Sequence, residues 1–261
     1  MIDPHHKPTL LIIAHGSAER PEDNLALAQL AEGVDDEDFA TAKLGFLKAV
    51  PEARSQLELL VGEVIIVPML MSEGFFYHKV LPRRLGHASL EPLEVADDGP
   101  RRVVYSRAIG THPDLVDLAM GRVEQARELF PIPRHPHLLL VGHGSRRHTE
   151  SSRATIARSE ALAASGEFAK VSVAFLDEPP FLDDQLAAHA DDDLLVVPDF
   201  VGEGVHTRRD IPEAIGLGEA DGGFATTLTH GRRIWYTPPV GLHPAVVDII
   251  VDRARQAAER L

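Results

Sequence analysis

Cysteine is absent from the 261-residue chain. That absence removes a disulfide framework, a thiolate nucleophile, a cysteine zinc site and a cysteine-held iron–sulfur cluster. Basic residues are in the minority, with 26 Lys and Arg against 40 Asp and Glu, for a formal charge of −14. No basic surface dominates to release counterions from a polyanion, so no nucleic-acid partner is expected. Small anionic ligands stay open, because they answer to local fields. Long apolar runs are missing too. Leu138–Val141 and Leu194–Pro198 are far too short to span a bilayer. Met1 to Pro8 lacks the basic-then-apolar layout of a signal peptide, so the expectation is a cytoplasmic protein with no membrane partner. What is present is ordinary for a globular chain, 44% hydrophobic and 25% charged. The length allows one large domain or two of about 130 residues.

The chain repeats itself. Leu11-Ile12-Ile13-Ala14-His15-Gly16-Ser17 matches Leu139-Leu140-Val141-Gly142-His143-Gly144-Ser145 at an offset of 128. Val64–Pro68 matches Leu194–Pro198, and Gly74–Pro82 matches Gly204–Pro212, both at 130. Ile109–Pro113 matches Val240–Pro244 at 131. Each copy alternates short apolar runs with helical patterns, which predicts parallel sheets flanked by helices. Four strands per copy are expected: 9–14, 42–47, 64–67 and 103–108, then 138–141, 171–176, 194–197 and 234–236. Prolines 131, 133 and 136 mark a linker. The expected domains are a first lobe over 1–130, a linker over 131–136 and a second lobe over 137–261.

In open α/β sheets ligands bind beyond the carboxyl ends of the strands. The His-Gly-Ser strings, Pro68 and Pro198, and Gly74 and Gly204 all follow predicted strands, so they converge on one edge of each sheet. His143, between two glycines, could be a ligand or base, or simply close a turn. Gly204 is expected to turn the chain toward that edge. His206 precedes a predicted helix on which Asp210 stands four residues on, on the same face. A carboxylate there can take one ring N–H and leave the other nitrogen available. Asp177 and Glu178 follow the second strand of the second copy. Two histidines and one carboxylate form an open divalent-metal site fit for zinc, cobalt or ferrous iron.

With these motifs the chain resembles the class II tetrapyrrole chelatases, the CbiX/SirB family of sirohydrochlorin cobalt- or ferrochelatases, from about Leu10 to Leu261. The string Gly204-Val205-His206-Thr207-Arg208-Arg209-Asp210-Ile211-Pro212, at its distance from His143, is the specific part. The resemblance implies two chelatase-like α/β lobes facing a cleft. It also implies insertion of Co2+ or Fe2+ into sirohydrochlorin or a related tetrapyrrole, with the metal as a substrate. His143, His206 and Asp177 would hold the ion, and these three with Glu178 would carry the reaction. Asp177 is the aligned acid, although the family usually has Glu there, and Glu178 is adjacent.

The first copy departs from this set. Phe76 stands where His206 does, Val80 at Asp210, and Lys48 at Asp177, so only His15 survives. The second lobe is therefore read as catalytic and the first as degenerate and substrate-holding. The tetrapyrrole is expected to meet His15, Ser17, Ser145, Arg146, Arg147, Gly204, Arg208, Phe76, Tyr77 and His78. The guanidinium groups among these suit its carboxylates. No nucleotide is expected, because the phosphate-binding pattern Gly-x-x-x-x-Gly-Lys-Ser/Thr is missing. Other readings kept open are a non-catalytic tetrapyrrole or metal carrier and a metal-dependent hydrolase. The expected state is a monomer or homodimer. His112 and His243 read as structural. His135 and His137 have no assigned role, and Asp191–Asp193 reads as a solvated turn.

Overall fold

A computed structural model describes residues 7–34, 37–87, 91–146 and 150–261. In chain order the elements are β1 (Thr9–Ala14), α1 (Leu25–Glu32), β2 (Thr41–Phe46), α2 (Ala53–Glu58), β3 (Gly62–Pro68), α3 (Leu81–Arg84), β4 (Val95–Asp98), β5 (Arg101–Tyr105) and α4 (Leu115–Leu129). The second series is β6 (His137–Gly142), α5 (Glu150–Ala164), β7 (Lys170–Phe175), α6 (Leu182–Ala188), β8 (Leu194–Pro198), α7 (Ile211–Ala214), β9 (Ala225–Thr229), β10 (Arg232–Tyr236) and α8 (Val246–Ala258). Among the described residues no helix is long and apolar enough to cross a membrane.

Two five-stranded sheets result, ordered β2-β1-β3-β5-β4 and β7-β6-β8-β10-β9. The four expected strands of each copy form and pair in parallel. The fifth strand, β4 or β9, is an antiparallel edge added through a tight hairpin. Its sequence hides it: Val95-Ala96-Asp97-Asp98 is half acid, and both edge strands are half-buried or exposed at every position instead of forming an apolar run. The central strands β1, β3, β6 and β8 carry apolar runs of at least four residues because both faces are covered. β6 and β8 are buried along their whole length. One core cluster gathers Leu11, Ile13, Val64, Ile66 and Tyr105, and the other Leu139, Val141, Leu194, Val196 and Tyr236.

The compact units do not follow the repeat boundaries. One comprises Met1–His112 with Pro244–Leu261, the other Pro113–His243. Helix α4, which ends the first repeat, packs on β8 and α5, whereas α8, which ends the second, packs on β3, β5 and α1. Each sheet is thus completed by the other repeat's last helix. Both helices bring similar apolar faces, Leu115, Leu118 and Val123 in α4 and Val246, Ile249 and Ile250 in α8. Periodicity alone cannot tell which sheet each will cover.

Candidate metal and substrate site

Strands β6 and β7 and the segment after β8 place the candidate groups of the second unit on one edge. The chain leaves β6 at Gly142 and turns through Gly144, whose φ is +73°. A Cβ there would stand 2.8–2.9 Å from Glu178 Cγ and Phe175 Cβ, so only glycine fits both the left-handed backbone and the space. Gly16 has the same need, with φ +74° and Phe46 at 2.8 Å. The turn leaves His143 exposed, and its carbonyl accepts the Asp177 N–H at 2.9 Å. That bond ties the His-Gly-Ser turn to the loop after β7. His143 Nδ1 lies 3.0 Å from the Gly144 carbonyl and 3.6 Å from Asp177 Oδ2.

His206 opens a wide π-helical turn over His206–Asp210 that runs into α7. Such turns are rare and recur at functional sites. The turn carries Asp210 under the ring, and His206 Nδ1 lies 2.7 Å from Asp210 Oδ2. Nδ1–H donates to that carboxylate, which leaves Nε2 with its lone pair. The rings of His143 and His206 stand 4.7 Å apart, centre to centre, at 86°. Both belong to the same compact unit, so the pair is built by one lobe alone. The first unit repeats the geometry with different chemistry: His15 and Phe76 lie 5.4 Å apart, and Phe76–Val80 forms the matching π-turn.

The structure separates the two acids. Glu178 Oε1 accepts the Ser145 N–H at 2.9 Å and packs against Gly144, so it secures the turn. Asp177 is exposed and is the one beside His143. In the first unit Asn24 takes over the securing, accepting the Ser17 N–H at 2.9 Å. His143, His206 and Asp177 do not close into a compact set. Among the described residues only His137, His189 and Asp192 present three ligand atoms within 4.8 Å of one another.

Several expected substrate contacts are corrected. Tyr77 is fully buried and donates its hydroxyl to the Ser106 carbonyl at 2.6 Å, so it cannot line a site. Burial pushes its phenol well above the usual value. The reason is the turn's register: positions 77 and 207 face inward, and Thr207 is buried as well. Arg208 pairs with Glu203 and keeps only 18% of its side chain exposed, and His78, with Nδ1 3.2 Å from Glu91, keeps 30%, so neither stands open at the edge. The Ser17 hydroxyl accepts the Arg20 N–H at 3.1 Å and serves the local turn. Gly204 has no left-handed backbone, and a Cβ there would meet nothing within 4 Å. It starts the turn by accepting N–H bonds from Thr207 and Arg208, not through conformational freedom. Arg146 stays at the edge, exposed, with Nε 3.3 Å from the Asp177 carbonyl. Arg147 lies outside the described residues.

Sequence reasoning missed Phe200, whose ring lies 6.3 Å from His143 and 6.2 Å from His206. It stands two residues beyond Pro198, the same strand-end position that drew attention to Pro198 itself. The reading of His112 and His243 as structural holds. His112 is buried with Nε2 2.8 Å from Asp252, and a Cβ on Gly121 would strike His243.

A CbiX family model matches residues 9–126 and again 137–257. A probable sirohydrochlorin cobaltochelatase of Halobacterium salinarum is 31% identical over 266 residues, covering 95% of this chain and 91% of that protein. A sirohydrochlorin cobaltochelatase of Methanopyrus kandleri is 33% identical over 138 residues, which is 46% of this chain and 95% of its own length. Among solved structures, one described as CbiX, the terminal enzyme for biosynthesis of siroheme in denitrifying bacteria, superposes with a TM-score of 0.71 at 25% identity. It covers 97% of this chain and 99% of that one.

Proposed function

The chain belongs to the CbiX family, and from that premise we infer that it inserts a divalent metal, Co2+ or Fe2+, into sirohydrochlorin or a close relative. The observation that carries the reading is the facing pair His143 and His206, with Asp210 holding one ring by Nδ1. The relatives' names supply the reaction, and this pair supplies groups able to perform it. The reaction exchanges two pyrrole protons for one dication, so a site needs donors for the ion and acceptors for the protons. His206 Nε2 and the His143 ring serve both needs in turn. A neutral imidazole can ligate the ion and, once the ion passes to the macrocycle, take a proton at neutral pH. The exposed carboxylate of Asp177 offsets the ion's charge and relays protons to water. Glu178 secures the turn and takes no proton. Phe200 offers an apolar face beside both rings.

The macrocycle's carboxylates need cations. Arg146 and Arg209 are exposed beside Asp177 and Asp210, so they are the guanidinium groups assigned to it. Phe76 in place of a histidine and Lys48 in place of the acid leave the first unit without a ligand set. Its His15 holds substrate and does not carry the exchange. The reaction needs protein, metal and tetrapyrrole only, with no nucleotide.

Anaerobic sirohydrochlorin with Co2+ or Fe2+, followed by absorbance, tests the reading directly. His206→Ala and His143→Ala should each abolish turnover while circular dichroism stays native, because both side chains are surface groups. Tetrapyrrole binding without turnover in the unaltered chain would make it a carrier. Metal binding without tetrapyrrole affinity would point to a hydrolase.

A further inference from the structure

We propose that His137, His189 and Asp192 form a second divalent-metal site, at the opposite end of the β7-β6-β8 sheet from His143 and His206. His137 is the first residue of β6, whereas His143 comes just after its last. Asp192 precedes β8, and His189 comes directly after α6. Asp192 Oδ2 lies 3.2 Å from His137 Nδ1 and 3.1 Å from His189 Nδ1. Donors at about 2.1 Å around a tetrahedral ion stand about 3.4 Å apart, so the two measured edges match. The two rings meet edge to face at 4.5 Å. Two imidazoles and a carboxylate select borderline ions such as Zn2+, Co2+ or Ni2+ and leave a position for water.

The surroundings are those of a supported ligand set. Ser172 Oγ, on β7, lies 2.9 Å from His137 Nε2 and 3.4 Å from His189 Nε2. A partner on the far ring nitrogen orients the near nitrogen toward an ion. Arg232 donates to the His189 carbonyl at 2.6 Å and to the Leu186 carbonyl at 3.0 Å, which fixes the loop. His137 is only 7% exposed.

The fold does not require these residues. In the first unit Thr9 takes the sheet position of His137, pairing with Thr41 and Val64 as His137 pairs with Lys170 and Leu194. By the same register Lys43 replaces Ser172 and Gly62 replaces Asp192. That sheet has the same strand order without any of the three ligands. One group opposes an ion: the exposed Lys170, whose Nζ is 3.2 Å from His189 Nδ1 and 3.4 Å from Nε2. Its ammonium sits beside the His189 ring and must swing away on its flexible stem when an ion enters.

The test uses chelator-stripped full-length protein carrying His143→Ala and His206→Ala, so that its outcome does not depend on the function proposed above. Co2+ is titrated by visible absorption and Zn2+ by calorimetry. One saturable equivalent is expected. Asp192→Asn or His189→Ala should abolish it, and Ser172→Ala, which leaves every ligand in place, should weaken it about 10–100-fold. Lys170→Met should tighten it, which no purely structural role for the cluster predicts. In the otherwise unaltered chain, Asp192→Asn should leave the metal-insertion rate unchanged. Absence of a saturable equivalent, or one that survives both Asp192→Asn and His189→Ala, overturns the proposal.

Discussion

Replacing Asp210 by alanine frees the ring of His206 and leaves every metal donor in place. The bond removed is short, 2.7 Å from Nδ1 to Oδ2, and one partner is a carboxylate. Hydrogen bonds to charged groups contribute about 1.5–3 kcal/mol net. His206 and Asp210 are 42% and 35% exposed, so water screens the pair and the lower end applies. Without the bond the ring samples other rotamers and the wrong tautomer. A deficit of about 1.5 kcal/mol in the reactive geometry slows insertion about tenfold. Asp210→Asn keeps an oxygen that accepts the Nδ1–H, so a neutral bond survives and the loss shrinks to about threefold. The assay is the initial rate of Co2+ insertion at saturating metal, with circular dichroism for folding. The ordering matters more than either value: unaltered, then Asn, then Ala. An alanine variant within twofold of the unaltered rate, natively folded, refutes the idea that Asp210 orients the ring.

His206→Ala should eliminate insertion while His15→Ala leaves a measurable rate, because Phe76 and Lys48 deny His15 a ligand set; equal, complete loss in both would end the assignment of unequal lobes. Glu178→Ala should lower the melting temperature by loosening the His-Gly-Ser turn, and Asp177→Asn should lower the rate with the melting temperature unchanged; the reverse pattern would exchange their roles. Arg158→Met strands the buried Asp199 carboxylate, which Arg158 Nε contacts at 2.8 Å, and should cost about 3–5 kcal/mol in urea unfolding; a cost under about 1 kcal/mol contradicts the burial argument. Burial holds the imidazoles of His87, His137 and His243 below the usual 6.5. The unfolded chain therefore takes up protons that the folded chain refuses, so stability is complete above about pH 6.5 and falls as pH drops below it. Melting temperatures from pH 7.5 to 5.5 should decline, and a flat or rising profile would falsify this account.

Most of the fold and half of the candidate site were legible in the residues. The parallel strands were readable because strands buried on both faces become apolar runs, and duplication printed each signal twice. The pair His143 and His206, with Asp210 one turn on, was readable because strand ends and helical spacing fix positions along the chain. Side-chain direction was not readable. Tyr77 looked suited to a flat ligand, yet the π-turn faces it inward. Arg208 was expected at the substrate, yet it is paired with Glu203 and largely covered. Glu178 and Asp177 are neighbours in sequence, and only the packing of Gly144 against Glu178 tells which one is committed to the turn. His137, His189 and Asp192 are scattered over 56 positions, and only sheet register assembles them.

The exchange of α4 and α8 makes the two units unequal under truncation. Residues 113–243, the unit that carries His143 and His206, are contiguous and contain their own covering helix. Residues 1–112 depend on 244–261 to cover β3 and β5. A chain shortened at residue 243 would leave the first sheet half-covered, with Val64, Ile66 and Val103 lacking their last neighbour. Such a chain should expose this sheet to protease while the second unit resists.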